Sequence, residues 1–441
     1  MVKKKEEQTT GKNIGKNMCK IEQKLQRKHL IALSFFLPLL VMTGCCIVFG
    51  VQPFGDNSLL IIDGLHQYMP FYSVLYDKLK GGKTLFYSFR SGLGINFLSL
   101  FSYYLSSPFN LLILFFKKSQ LNMAVSMIIV LKIACSGMTA GIYFSSKSKK
   151  QGFSTVMISM AYALSSYMVG YCWNVMWLDA IMIFPIIMMG LERLIEKKDG
   201  RLYCIALFYA LYCNYYIAFM ICIFAVIWYL LYSFKSIKQF FFRGIAFAFY
   251  SFLAAGMAAI LLIPAYMGIK QTASGETMQL PEHSFLTSAA DLLNRQFALW
   301  SPISHDNFDG NANLYIGIFS VLAVGLYVLN EEIKVSEKIK QVLLIGLFYL
   351  SFSEMILNFI WHGFHDQYGI PNRFSFLFGF VLLYMLWEVF EHLEGVKGWH
   401  AAFACMAGVA LMAYAKLKGT QVLEENVYGV AGMLLLLYGM L

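Results

Sequence analysis

Charge is what this chain has least of. Asp, Glu, Lys and Arg supply 14% of its 441 residues, while hydrophobic residues supply 59%. Soluble domains carry about 25% charged and roughly 45–50% apolar residues. So little polar surface cannot cover a water-soluble globule of this length, and lipid must solvate much of the chain. Other absences narrow the reading further. The nine cysteines show no metal-ligand spacing. Cys45, Cys46, Cys135, Cys204, Cys213, Cys222 and Cys405 lie inside apolar runs and read as small core residues, Cys19 sits in a basic arm, and Cys172 is expected near an outer surface. Neither a zinc site nor a disulfide framework is expected from that pattern. Gly92-Leu93-Gly94 lacks the following Lys-Ser/Thr of a phosphate loop, and no Walker motif occurs elsewhere, so ATP-driven transport is not expected. The first apolar run, Leu30 to Val51, is long enough to span and lacks a small-residue cleavage site, which argues against a signal peptide. There is no repeat of fixed period and no soluble domain.

What is present is a series of apolar runs with basic residues between them. They lie near 30–51, 121–144, 153–171, 177–194, 202–215, 217–234, 241–264, 313–330, 341–360, 374–391, 399–415 and 427–441, and a spanning helix needs about 20 mostly apolar residues. Aromatic residues reach 17%, which suits interfacial belts. The expected fold is therefore an all-α polytopic membrane protein of about 12 transmembrane helices. A basic cytoplasmic arm occupies residues 1–29 and the transmembrane domain 30–441. The net charge of +10 raises the question of nucleic acid, but its distribution answers it. Nine Lys/Arg precede residue 29 and most others sit in short loops, which is a topology signal and excludes nucleic acid as the expected partner. The arm lies beside anionic lipid in this reading.

With the N-terminus inside, the inner loops from 145 to 398 hold thirteen Lys/Arg, while the outer loops after residue 171 hold five. The bias is positive-inside. It also bears on residues 97–116, which are apolar enough to cross. A crossing there would put the Lys clusters outside, so 97–116 is expected to be re-entrant or interfacial, broken at Ser106-Ser107-Pro108. Two outer loops result, 52–120 and 265–312. Within the first, 58–69 and 71–80 read as two short helices separated at Pro70. Within the second, Ser288 to Phe297 reads as an amphipathic piece of a small cap. The last apolar run reaches Leu441 with no hydrophilic tail, as in a piece of a longer protein or a chain ending in the membrane.

Polar candidates collect on the outer side. On a helix, Asp63, His66 and Gln67 share a face, and Asp56 falls near it at i−7. A carboxylate with an imidazole one turn away can act as a general base or hold a divalent cation. The plain alternative is that Asp56 caps the helix and Asp63 is a solvated acid. Asp179, with Asn174 nearby, stands at the outer end of a span, either facing a cavity or wetted there. His362, His365 and Asp366 have a spacing that a metal could use, but such a trio on a loop is more often ordinary surface. Arg373 opens a span and can hold a lipid phosphate bidentately, or it can snorkel as an interface anchor. Arg90 and Lys83 flank the Gly-rich stretch, as phosphate contacts or a solvated face. Lys132 is the main charge in mid-span.

Several separated segments carry a family resemblance, in order between about residues 30 and 390. They are Asp63-Gly64-Leu65-His66-Gln67-Tyr68-Met69-Pro70-Phe71, Gly92-Leu93-Gly94-Ile95-Asn96-Phe97, Tyr103-Tyr104-Leu105-Ser106-Ser107-Pro108-Phe109-Asn110, Trp177-Leu178-Asp179-Ala180, Gly190-Leu191-Glu192-Arg193-Leu194, Asn313-Leu314-Tyr315-Ile316-Gly317 and Pro371-Asn372-Arg373-Phe374-Ser375-Phe376. Together they resemble the YfhO family of bacterial membrane proteins, whose members tend to be much longer. That family in turn resembles the GT-C glycosyltransferases. The resemblance implies transfer of a sugar from a polyprenyl-phosphate donor to a cell-envelope polymer, such as lipoteichoic acid, on the outer face. It also implies an essential acid in the first outer loop, for which Asp63 is the matching residue and Asp56 the second choice. Asp56, His66, Gln67, Arg90, Asn174, Asp179 and Arg373 are the candidate donor- or acceptor-binding residues, and a divalent cation is a candidate cofactor. The competing classes are a transporter or lipid flippase, which needs charged groups lining a path through both leaflets, and a non-catalytic envelope-assembly scaffold.

Overall fold

The computed structural model describes residues 26–150, 152–272, 280–305, 310–365, 369–420 and 425–440. It is almost wholly helical, as the apolar runs require, with one two-stranded antiparallel ribbon pairing Tyr87-Ser88 with Ile95-Asn96. Among the described residues, four helices are long and apolar enough to cross a membrane: Arg27–Val48, Lys118–Lys147, Ile237–Ile269 and Gly398–Lys418. A fifth is reached if the bent pair Phe97–Tyr104 and Pro108–Phe115 counts as one span. The expected twelve long spans are not reached. The run at 153–171 breaks into Ser154–Ala163 and Ser166–Gly170, where the Ser165 side chain caps the second piece. The pair at 202–234 becomes Arg201–Cys213 and Tyr215–Leu231, divided at Asn214, whose side chain accepts from the Ile217 N–H. The run at 313–330 yields only Phe319–Leu329, and 177–194 yields Leu178–Lys197, a longer helix with more charge.

Helices meet where side chains are small. Gly137 and Gly141 on the helix Leu121–Lys147 face Ser34 on Arg27–Val48, and a Cβ at either glycine would collide with it. Small contacts of this kind bring helices together where lipid supplies no hydrophobic drive between them. A continuous apolar core then joins Leu121–Lys147, Leu178–Lys197 and Ser375–Glu391. By contrast Ile237–Ile269 turns Phe249, Phe252, Ile260 and Ile263 outward, as a lipid-facing helix would.

Polar bonds sort into two ends. At one end Arg27 meets Ser145, Lys147 pairs with Glu192 at 2.8 Å, Ser148 and the Lys149 N–H meet Glu391, Tyr232 meets Glu196, and Lys397 pairs with Glu331. At the other end Asn214 donates to the Tyr103 carbonyl, Ser106 to Cys213, Ser99 to Pro264, Trp173 to Ser304, and Thr420 to Asp291. The segment 97–116 belongs wholly to this second end. Its two helices bend by 100°. Phe97 lies under the Lys78 ammonium, and the Phe116 carbonyl accepts from Tyr76 at 3.0 Å. Both ends of the segment therefore return to the same two turns of one helix.

Three local expectations change. Pro70 does not separate two helices. A π turn, Gly64–Tyr68, runs directly into Met69–Lys80, and Pro70 sits in the first turn of the latter, where its missing N–H does least harm. Asp56 is not on this helix, because residues 58–62 are not helical and Asp63 itself holds the N-cap position. Cys172 is buried rather than near a surface. The amphipathic piece of the second outer loop does form, as Ala289–Asn294 capped by Ser288. Most of the basic arm and Asp366 lie outside the described residues.

Candidate functional site

The second end gathers a tyrosine-rich cluster, here called the cleft, from five separate stretches. Asp63 heads the π turn with an exposed side chain, and Gln67 on the same turn reaches the Tyr104 hydroxyl. Tyr68 points inward, donates to Asn174 Oδ1 at 3.0 Å and stacks on Trp173. The helix Phe97–Tyr104 adds Tyr103 and Tyr104, whose rings touch each other, and Tyr104 also touches Tyr68. Tyr216 opens the helix after Asn214, beside Tyr103. Arg373 closes the cleft. Its guanidinium lies over the rings of Trp177 and Tyr216 and donates to the Tyr216 hydroxyl at 3.2 Å and the Ile370 carbonyl at 3.1 Å.

The Asp63 carboxylate and the Arg373 guanidinium both act electrostatically on the hydroxyls of Tyr68 and Tyr104, with opposite signs. Both charges thus act on one tyrosine pair, although 310 positions separate them in sequence. Each follows a residue in the left-handed region, Ile62 at φ 45° and Asn372 at φ 54°. Asn tolerates that conformation, but for a β-branched Ile it is strained by on the order of 1–3 kcal/mol. Asn372 is held by bonds to the Gly310 carbonyl and from Asn358, at 2.6 Å each. The neighbouring His362 is buried. It bonds the Asn358 carbonyl through Nδ1 at 2.7 Å, and burial, helped by the Arg373 charge, depresses its pKa to about 3. It is therefore a neutral imidazole at neutral pH, and the expectation of an ordinary surface residue fails for it. Among the described residues no trio of His, Cys, Asp or Glu gathers as a metal group.

The remaining candidates are placed elsewhere. Asp179 is fully buried, not wetted. It pairs with Lys132 at 2.6 Å and accepts from Ser107 at 2.8 Å and Tyr209 at 2.9 Å, while Lys132 also donates to the Val175 carbonyl. A charge in mid-helix could persist there only with such a partner. Arg90 pairs with Asp77, which Lys118 also holds at 2.5 Å, and the two cations keep the Asp77 carboxyl below its ordinary range. Asp77 lies about 20 Å of helix beyond Asp63, so Arg90 is not brought to the cleft. Asp56 and His66 are exposed, and Asp56 stands in the turn that precedes the helical run. Asn174 is buried beneath Tyr68. The sequence reading overlooked Tyr104, Tyr216, Tyr171 and Trp177 as site residues. In so aromatic a chain, composition cannot separate cleft tyrosines from belt tyrosines.

The guanidinium offers a direct test. Arg373→Lys keeps the charge but loses the fork and the flat face that stacks on Trp177 and Tyr216. Under the sugar transfer that the family resemblance implies, affinity for the donor should fall by roughly tenfold with folding intact. Equal donor affinity in the wild type, Arg373→Lys and Arg373→Ala would reduce the residue to an anchor.

A family model described as "Bacterial membrane protein YfhO" matches residues 34–441. No curated protein and no solved structure matches.

Proposed function

The chain belongs to the YfhO family of bacterial membrane proteins, and from that premise we propose that it is a GT-C-type glycosyltransferase working on the outer face of a cell membrane. It moves a sugar from a polyprenyl-phosphate donor to a cell-envelope polymer such as lipoteichoic acid. The observation that supports this reading most is the path of side chains from Asp63 to Arg373: Gln67, one turn after Asp63, reaches Tyr104, and the rings of Tyr104, Tyr103 and Tyr216 lead on to the Arg373 guanidinium. In the transfer, the acceptor hydroxyl oxygen forms a bond to the anomeric carbon and its proton passes to Asp63. The bond from that carbon to the phosphate oxygen breaks, and its electron pair stays on the phosphate, beside Arg373. The tyrosine faces suit a sugar ring, and the Gln67 and tyrosine polar groups suit its hydroxyls. A divalent cation at Asp63 would need oxygens from substrate phosphate and water as its other ligands.

The protein crosses the membrane many times in this reading, with its N-terminus in the cytoplasm and segment 97–116 returning to the outer face. The Lys-rich loops at one end support that orientation. Cysteine introduced at Lys83 should react with an impermeant thiol reagent on intact cells, and cysteine at Ser146 should react only after lysis, both on a background without reactive cysteines. The reverse pattern would overturn the orientation. The closed Lys132–Asp179 pair speaks against a flippase, since it leaves that mid-span charge occupied inside the protein. Transfer is tested with purified protein, a polyprenyl-phosphate sugar and polymer acceptor, reading sugar incorporated per polyprenyl phosphate released. A flippase or scaffold would release none.

A further inference from the structure

Beneath Arg373 lies a group of buried polar atoms that the cleft described above does not use. The turn 171–177 is tight: the Asn174 N–H bonds the Tyr171 carbonyl and the Trp177 N–H bonds the Asn174 carbonyl, both at 2.9 Å. It carries three side chains whose donor atoms are fully buried and have no hydrogen-bond partner: the Tyr171 hydroxyl, Asn174 Nδ2 and Trp177 Nε1. Two of them adjoin Arg373, and the third is linked to it through Tyr68. Arg373 stacks on the Trp177 ring, and Tyr171 packs edge-on to that ring. Tyr171 also feels the charges of both Arg373 and Arg295, the latter from the second outer loop. Asn174 is bound through its oxygen to Tyr68, whose hydroxyl feels Arg373.

A buried donor without a partner is destabilising and uncommon, because its hydration is lost and nothing replaces it. Three in one seven-residue turn, all able to donate and held at or next to the side chains that touch Arg373, share one chemical complement: an anion rich in acceptor oxygens. We propose that the turn 171–177 and Arg373 form a cradle for a phosphate monoester, the polyprenyl phosphate that leaves when the sugar is transferred. This inference rests on the glycosyltransferase reading and extends it. The donor is a phosphodiester with one negative charge. Breaking the sugar–phosphate bond leaves a second charge and a third terminal oxygen. Three N–H and O–H groups and a guanidinium match that product better than the donor. The cradle stabilises charge as it develops in the transition state, and it holds the spent carrier afterwards, so polyprenyl phosphate should inhibit.

The double variant Trp177→Phe/Tyr171→Phe tests this. It keeps an aromatic ring at each position, with a phenyl in place of the indole under Arg373, while removing two donors. If those donors have no ligand, their removal leaves phosphate binding unchanged. The expected result is a folded, monodisperse protein whose affinity for short-chain polyprenyl phosphate is at least tenfold weaker, with a thermal midpoint lowered only by the cavity that the smaller ring leaves. Binding is read by titration without sugar donor or acceptor, so failure of transfer and failure of the cradle are separate results. Asn174→Asp, which keeps the oxygen that Tyr68 uses and puts a negative charge in place of the donor, should also lose binding. Phosphatidylglycerol, a phosphodiester, should compete poorly. Unchanged affinity in the double variant would overturn the proposal, as would equal competition by phosphatidylglycerol.

Discussion

Asp63→Asn should lower sugar transfer by a factor on the order of 10²–10⁴, the span expected for a lost general base, while expression and thermal stability stay at wild-type values. The second half follows from placement. Asp63 is exposed at the head of the π turn, and the turn's N-cap makes no side-chain bond, so Asn fits the position without breaking a contact. The first half follows from chemistry. Asn is the same size but cannot accept the acceptor's proton, and it draws a cation less well. Asp56→Asn serves as the internal comparison. It lies in the preceding turn, outside the helix that carries Asp63, and its loss should cost much less. The assay is transfer from a polyprenyl-phosphate sugar, with monodisperse elution as the folding check. Wild-type rates in Asp63→Asn would remove the catalytic assignment.

The second large effect concerns stability. Asp179→Asn should destabilise the protein by about 3–5 kcal/mol, the usual cost of breaking a buried ion pair from one side. Lys132 and Asp179 are fully buried, so the charge left on Lys132 would face only neutral groups, the Val175 carbonyl, the Phe109 ring and the new amide. The damage should spread, because Ser107 anchors the break in segment 97–116 to the same carboxylate. That segment carries Tyr103 and Tyr104 into the cleft, so transfer should fall along with the thermal midpoint. Lys132→Met/Asp179→Leu should recover much of the stability, since paired apolar replacements of a buried ion pair are often neutral or better. Thermal midpoints of the single and double variants decide the matter. A single variant as stable as wild type would show that the pair is not buried as described.

Much of this was legible in the sequence, for identifiable reasons. Helix positions followed from apolar runs, and the break at Ser106-Ser107-Pro108 followed from proline and capping chemistry. The number of long spans did not follow. Ser165, Asn214 and other local caps cut runs that hydropathy alone joins. Asp63 and Arg373 were readable as separate candidates, but the run of tyrosines between them is a tertiary fact. Asp179 misled because an acid near a helix end looks the same whether it is wet or paired, and its partner Lys132 lies 47 residues earlier. The π turn was hidden because Pro70 signals a boundary at either end of a helix. The unpartnered donors of the turn 171–177 left no sequence signal, since Tyr, Asn and Trp there also read as an interfacial belt.

The central claim is that this protein adds a sugar to an envelope polymer through Asp63. The most direct measurement compares envelope polymers from a strain lacking the protein with the same strain carrying either the wild type or Asp63→Asn. The claim predicts that one sugar substituent disappears on deletion, returns with the wild type and stays absent with Asp63→Asn at equal protein level. Polymers identical in all strains, or a substituent restored equally by Asp63→Asn, would contradict it.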